Sequence, residues 1–171
     1  MADSECPGSA LMEIIWPEKF HPNRAPVHVR NEIDIAAPCE RVWAWLIRAQ
    51  LWPEWYDNAS DMQFLSGSGP DLEAGTRFKW RTFSVQIEST VCEFESPHRI
   101  AWDAKGTGVD AYHAWLLEPA GEGCHVTTEE TQYGVLARTG HLLIPGRMSR
   151  GHQRWLEGLR EKALAGWPPG I

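Results

Sequence analysis

Residues 27–48 read VHVRNEIDIAAPCERVWAWLIR, and the change of period inside this stretch decides the fold. From 27 to 36 the residues alternate, with Val27, Val29, Asn31, Ile33 and Ile35 on one side and His28, Arg30, Glu32 and Asp34 on the other. That is the period of a half-buried strand. Ala37-Pro38 ends it, and over 38–48 Val42, Trp43, Leu46 and Ile47 recur at helical spacing, with Pro38 suited to the first turn. A second short helix over 52–56 completes a helical hairpin.

Working outward, strands are predicted at 62–65, 77–83, 85–95, 99–104, 111–118 and 125–133. The connectors are rich in Gly, Pro and Ser, as at 67–70, 96–98, 106–108 and 119–123, and are too short for parallel crossovers. An antiparallel meander follows. Met148, His152, Trp155, Leu159 and Ala163 mark one buried stripe of a terminal helix, while Pro145-Gly146 sets 135–144 apart as a lid-like piece. We divide the chain into an extension at 1–26, one domain at 27–165 and a tail at 166–171. The extension has room for one helical turn near 11–15 and reads as an arm on the domain surface. A homodimer contact or a cover over a cavity mouth are its other readings.

The order of strand, two short helices, meander and long helix resembles the helix-grip fold of the START-like (SRPBCC, Bet v 1-like) superfamily. The closer resemblance is to its polyketide cyclase/dehydrase-like branch. Residues 33–43, IDIAAPCERVW, resemble that branch's first strand, Ala-Pro corner and Val-Trp helix, and Trp52-Pro53-Glu54-Trp55 resembles its next, aromatic helix. Gly75-Thr76 before a strand and Leu117-Glu118-Pro119 before a turn also match. The resemblance implies an α+β fold: a seven-stranded curved antiparallel sheet around a long C-terminal helix, with an interior cavity. Members act as lipid or hormone carriers, aromatic polyketide cyclases or chaperone-activating modules, and the fold does not choose among these.

Composition narrows the partners. A 43% hydrophobic, 23% charged chain of 171 residues can bury one ordinary core. The net charge of −7, without a basic run, points away from nucleic acid and from anionic membrane surfaces. The apolar stretch 10–16 is broken by Glu13 and ended by Pro17, so neither a signal peptide nor an inserted helix is expected, and a cytoplasmic location follows by default. Cys6, Cys39, Cys92 and Cys124 form no Cys-x-x-Cys pair and read as free thiols.

Alternation assigns the inward side chains. His113 lies with Ala111, Trp115 and Leu117, and Thr128, Glu130 and Gln132 lie with Val126, whereas His125, Thr127, Glu129 and Thr131 suit solvent. A one-residue bulge would exchange the two sets. A turn over 119–123 with Leu117 near Cys124 would set His113 opposite Thr128 and diagonal to Glu130. A carboxylate beside an imidazole suits acid–base chemistry, and it equally suits a buried pair that satisfies itself.

Trp80, Trp102, Trp115 and Trp155 fall on interior faces as flat walls, with Asn31, His113, Gln132 and His152 as polar anchors. His113, Glu130 and His152 are ligand types for zinc or iron, but no spacing signature supports a metal, and no cofactor is implied. The leading expectation is therefore binding of a small apolar or aromatic molecule, lipid- or polyketide-like. The enzyme alternative is a cyclase or dehydratase in which His113, with Glu130, moves a proton beside a carbonyl. The third reading, a chaperone-activating module, would need an exposed apolar patch on the convex sheet face, which reads polar.

Overall fold

The computed structural model describes residues 12–170. Strand β1 (Val27–Ile35) gives way to α1 (Cys39–Ile47) directly after Pro38, whose φ of −56° suits a helix start. A 3₁₀ turn at Ala49–Leu51 leads into the short α2 (Trp52–Trp55). Six strands follow: β2 (Ser60–Phe64), β3 (Arg77–Thr82), β4 (Val85–Glu95), β5 (Arg99–Gly106), β6 (Val109–Ala120) and β7 (Gly123–Tyr133). α3 (Val135–Leu143) and α4 (Arg147–Ala165) complete the chain.

The seven strands form one sheet in the order β1-β7-β6-β5-β4-β3-β2, antiparallel at every pairing. α4 lies along β1 and α1, gripped by the sheet. This is the α+β helix-grip arrangement that the resemblance implies. No helix among the described residues is long and apolar enough to cross a membrane.

The core is aromatic because one indole serves as its hub. Trp52 is fully buried, donates its N–H to the Leu46 carbonyl at 2.9 Å, and meets the rings of Trp155, Trp80 and Trp102 at 5.1, 5.3 and 5.6 Å. Tyr56 stacks on Trp155 at 4.6 Å. Edge-to-face and offset contacts of this kind add to what burial alone contributes.

Four expectations are corrected. First, the β6–β7 register is two residues away from the expected one: Leu117 pairs with Val126, and His113 pairs directly with Glu130. The strands run on to Ala120 and Gly123, leaving only Gly121 and Glu122 in the turn. Gly121 takes φ +61° at the position a tight hairpin reserves for glycine. An even shift preserves the faces, and β7 has no bulge against either neighbour, so the inward set stays inward.

Second, the outer face is not open to solvent at its centre: Thr127, Glu129 and Thr131 are buried. The N-terminal arm lies across it, with Ile14, Trp16 and Phe20 packed on Ala101, Tyr112 and Ala114. Thr131 donates a hydrogen bond to the Phe20 carbonyl at 2.9 Å, and Tyr133 to that of Lys19 at 2.7 Å. The small apolar cluster on this otherwise polar face is thus covered by the chain itself. Third, residues 12–15 are not helical; the 3₁₀ turn of the arm lies at Glu18–Phe20 instead, while Leu11 lies outside the described residues.

Fourth, Cys39 and Cys124 are joined in a disulfide rather than free. Ile35 at the end of β1 pairs with Cys124, and the chain then turns through Ala37-Pro38 into α1. That turn returns Cys39 to within 5.0 Å, Cα to Cα, of Cys124. Cys92 is a free, exposed thiol, and Cys6 lies outside the described residues.

Candidate functional site

Between the concave side of the sheet, α3 and the start of α4 lies a cavity of about 440 Å³. Its walls are mostly apolar, with Val27 and Val29 from β1, Ile87 from β4 and the indoles of Trp80, Trp102 and Trp155. α3 closes one side with Leu136, Ala137 and Leu143. The remaining lining includes one concentrated polar group, His113, Glu130 and His152, with Gln132 beside it.

The strand pairing and the helix stripe bring this group together. His113 on β6 and Glu130 on β7 are register partners, and His152 on the buried face of α4 arrives from above. Both imidazoles address the same carboxylate oxygen: His113 Nδ1 is 3.2 Å and His152 Nε2 3.1 Å from Glu130 Oε2. Gln132 donates its amide to Glu130 Oε1. His113 Nε2 shares a hydrogen bond with the Thr128 hydroxyl, 2.7 Å away, while its Nδ1 faces Glu130 as a close contact without hydrogen-bond alignment. Both His113 nitrogens therefore have a polar neighbour. His152 differs, because its Nδ1 is buried and has no partner among the described residues.

Burial sets the charges. It holds the His113 imidazole down to about 3, against the opposing pull of the Glu130 charge. Burial also pushes the Glu130 carboxyl up, but the two imidazoles and the hydrogen bonds from His152 and Gln132 outweigh it and hold the group at about 2. At neutral pH the cluster is an ionised carboxylate beside a neutral His113.

The ligating atoms of His113, Glu130 and His152 lie within 4.8 Å of one another. The two rings stack with centroids 4.8 Å apart and planes 19° from parallel. The geometry is that of a hydrogen-bonded cluster.

Of the residues singled out in the sequence, His113, Glu130, Gln132, His152, Trp80, Trp102 and Trp155 line the cavity, and Trp115, Thr128 and Asn31 do not. Trp115 is buried behind the wall, 5.3 Å from the His113 ring and 5.0 Å from Trp155. Thr128 holds His113 from behind. Asn31 donates to Gln153 at 3.0 Å and ties β1 to α4, because α4 runs over that part of the strand.

Sequence reasoning missed Phe83. It ends β3 in a two-residue turn with Ser84, and both have positive φ, 49° and 68°, where glycine or asparagine is usual. The turn puts Phe83 in the cavity wall beneath α4, where a Cβ on Gly151 would come within 2.4 Å of its ring. The signal available was small: a phenylalanine between two strand runs that has no Gly or Asn beside it.

Residues 26–164 match the protein family described as polyketide cyclase / dehydrase and lipid transport. A hypothetical protein from Helicobacter pylori, jhp0584, is 30% identical, with a TM-score of 0.83 over 91% of this chain and 98% of its own. A START superfamily protein from Mycobacterium smegmatis has a TM-score of 0.65 at 12% identity, covering 81% of this chain and 97% of that one. The di-domain ARO/CYC protein StfQ from the steffimycin biosynthetic pathway has a TM-score of 0.65 at 13% identity, covering 81% of this chain and 51% of that one. These last two share the fold. No curated protein matches the chain.

Proposed function

The chain belongs to the polyketide cyclase / dehydrase and lipid transport family, and from that premise we propose that it binds a small apolar or aromatic molecule, lipid- or polyketide-like, in the cavity beneath α3. The observation that carries this reading is the pairing of apolar walls with buried polar atoms that lack partners. The indole N–H groups of Trp102 and Trp155 and the Nδ1 of His152 are buried without hydrogen bonds among the described residues, and all three residues line the cavity. Buried polar groups are rarely left unpaired, and a ligand carrying a carbonyl and a hydroxyl can satisfy both kinds. The ionised Glu130 disfavours an anionic end beside it.

The test is a titration of intrinsic tryptophan emission with a flavonoid, a long-chain fatty alcohol and a sugar phosphate. The flavonoid or the fatty alcohol should quench it, and the sugar phosphate should not. His152→Ala should weaken binding about three- to tenfold, the usual worth of one hydrogen bond. A response to the sugar phosphate alone, or an affinity indifferent to His152→Ala, would count against the pocket.

One observation favours a second reading, proton transfer. Glu130 accepts the Nε2–H of His152 and leaves Nδ1 as the basic atom, the relation of a carboxylate to a general base. In that reading His152 takes the proton beside a carbonyl, and His113, bonded to Thr128 and 3.2 Å from Glu130, positions Glu130. An enzyme would lose turnover in His152→Ala while keeping most of its binding; a carrier would show only the binding loss.

A further inference from the structure

The outer side of the lid is a second surface. Val135 and Leu142 are 77% and 78% exposed, Leu143 and Ile144 at the cavity rim are 73% and 47% exposed, and every residue from 141 to 147 is exposed. Val135 and Leu142 lie seven residues apart on α3, which puts them on one stripe, with Arg138 between them. Large apolar side chains clustered in solvent on a folded domain mark an interaction site.

Charge identifies the partner. Between Glu130 and Glu157 the sequence holds four arginines and no acidic residue, so the rest of this −7 chain carries −11. Arg154 faces Asp57 at 3.5 Å, whereas Arg138, Arg147 and Arg150 have no carboxylate partner among the described residues. Net charge, from which an anionic membrane surface was unexpected, averages over this separation. We propose that α3 and the turn after it dock the mouth of the cavity onto an anionic lipid bilayer, with the apolar stripe in the interface and the arginines among the headgroups. A two-fold dimer through the same face would set each copy's arginines against the other's, which like-charge repulsion opposes. Leu136, Leu143 and Arg147 also line the cavity, so the docked lid stands between bilayer and cavity. The proposal does not depend on what the cavity holds.

The test is flotation of the full chain, without added ligand, on vesicles of phosphatidylcholine alone and of phosphatidylcholine with phosphatidylglycerol. The protein should float only with the phosphatidylglycerol vesicles, and added salt should release it. Each arginine near such a surface is worth about fivefold in partition, so Arg138→Ala with Arg150→Ala should lower it about 25-fold. Val135→Ser with Leu142→Ser, at side chains already in solvent, should weaken flotation while an unchanged near-ultraviolet dichroism shows the fold intact. Equal flotation on both vesicle types, no flotation on either, or flotation indifferent to both double variants would overturn the proposal. So would a dimer in light scattering that Leu142→Glu dissolves, which would make the face a contact between copies.

Discussion

Reducing the Cys39–Cys124 disulfide should lower folding stability by about 4–5 kcal/mol, the loop-closure entropy of a cross-link spanning 85 residues. The bond joins the first turn of α1 to the start of β7, so it closes the helical hairpin and strands β2–β6 into one loop. At this chain length the loss corresponds to roughly 10–20 °C in melting temperature. Urea unfolding with and without reductant measures it: the wild type should shift, and the double variant Cys39→Ala with Cys124→Ala should unfold at the reduced wild-type midpoint under both conditions. A wild-type midpoint indifferent to reductant would remove the bond from the stability of the fold.

Acid should weaken the fold from well above the carboxylate range. His113 is held down to about 3 in the folded chain, against 6.5 when exposed, so below pH 6.5 the unfolded chain takes up a proton that the folded one refuses. This contribution is complete above pH 6.5 and is lost as pH falls toward 3, at about 1.4 kcal/mol per unit. Glu130, about 2 when folded against 4.5 when exposed, follows the same sign, and its share is lost only as pH falls from 4.5 toward 2. Between pH 6.5 and 4.5 His113 alone accounts for about 3 kcal/mol. Urea midpoints across that interval should fall steeply in the wild type and stay nearly level in His113→Gln, which keeps a polar side chain that does not titrate. Parallel slopes in the two proteins would contradict a neutral, buried His113.

Much of this architecture is legible in the chain because strand and helix differ in period. The alternation of 27–35, its end at Pro38 and the stripe from Met148 to Ala163 name the first strand, the corner and the gripped helix. Parity did the rest for the site: the face of His113 and Glu130 is unchanged by an even shift in register, although their direct pairing needed the shorter turn at Gly121-Glu122. What was not legible depends on segments distant in sequence. Glu129 and Thr131 read as solvent-facing because nothing local shows that Trp16 and Phe20 will lie over them. Cys39 and Cys124 meet only because β1 pairs with β7. The alternation that placed Asn31 inward could not show that α4 would run over that part of β1 and take its amide.

The arm and the cavity lie on opposite faces of the same two strands, and this bears on the entropy of binding. Thr131, which the Phe20 carbonyl holds from outside, is the neighbour of Glu130; Tyr112, stacked under Phe20 at 5.8 Å, is the neighbour of His113. The two strand-borne polar groups, His113 and Glu130, thus each sit next to a residue held on the far side. The geometry is set before any ligand arrives, and ordering it costs the complex little conformational freedom. Among the described residues α3 has no such cover on its outer face, so in the proposed binding reading exchange of the cavity's contents falls to α3, while the preorganised cluster stays in place.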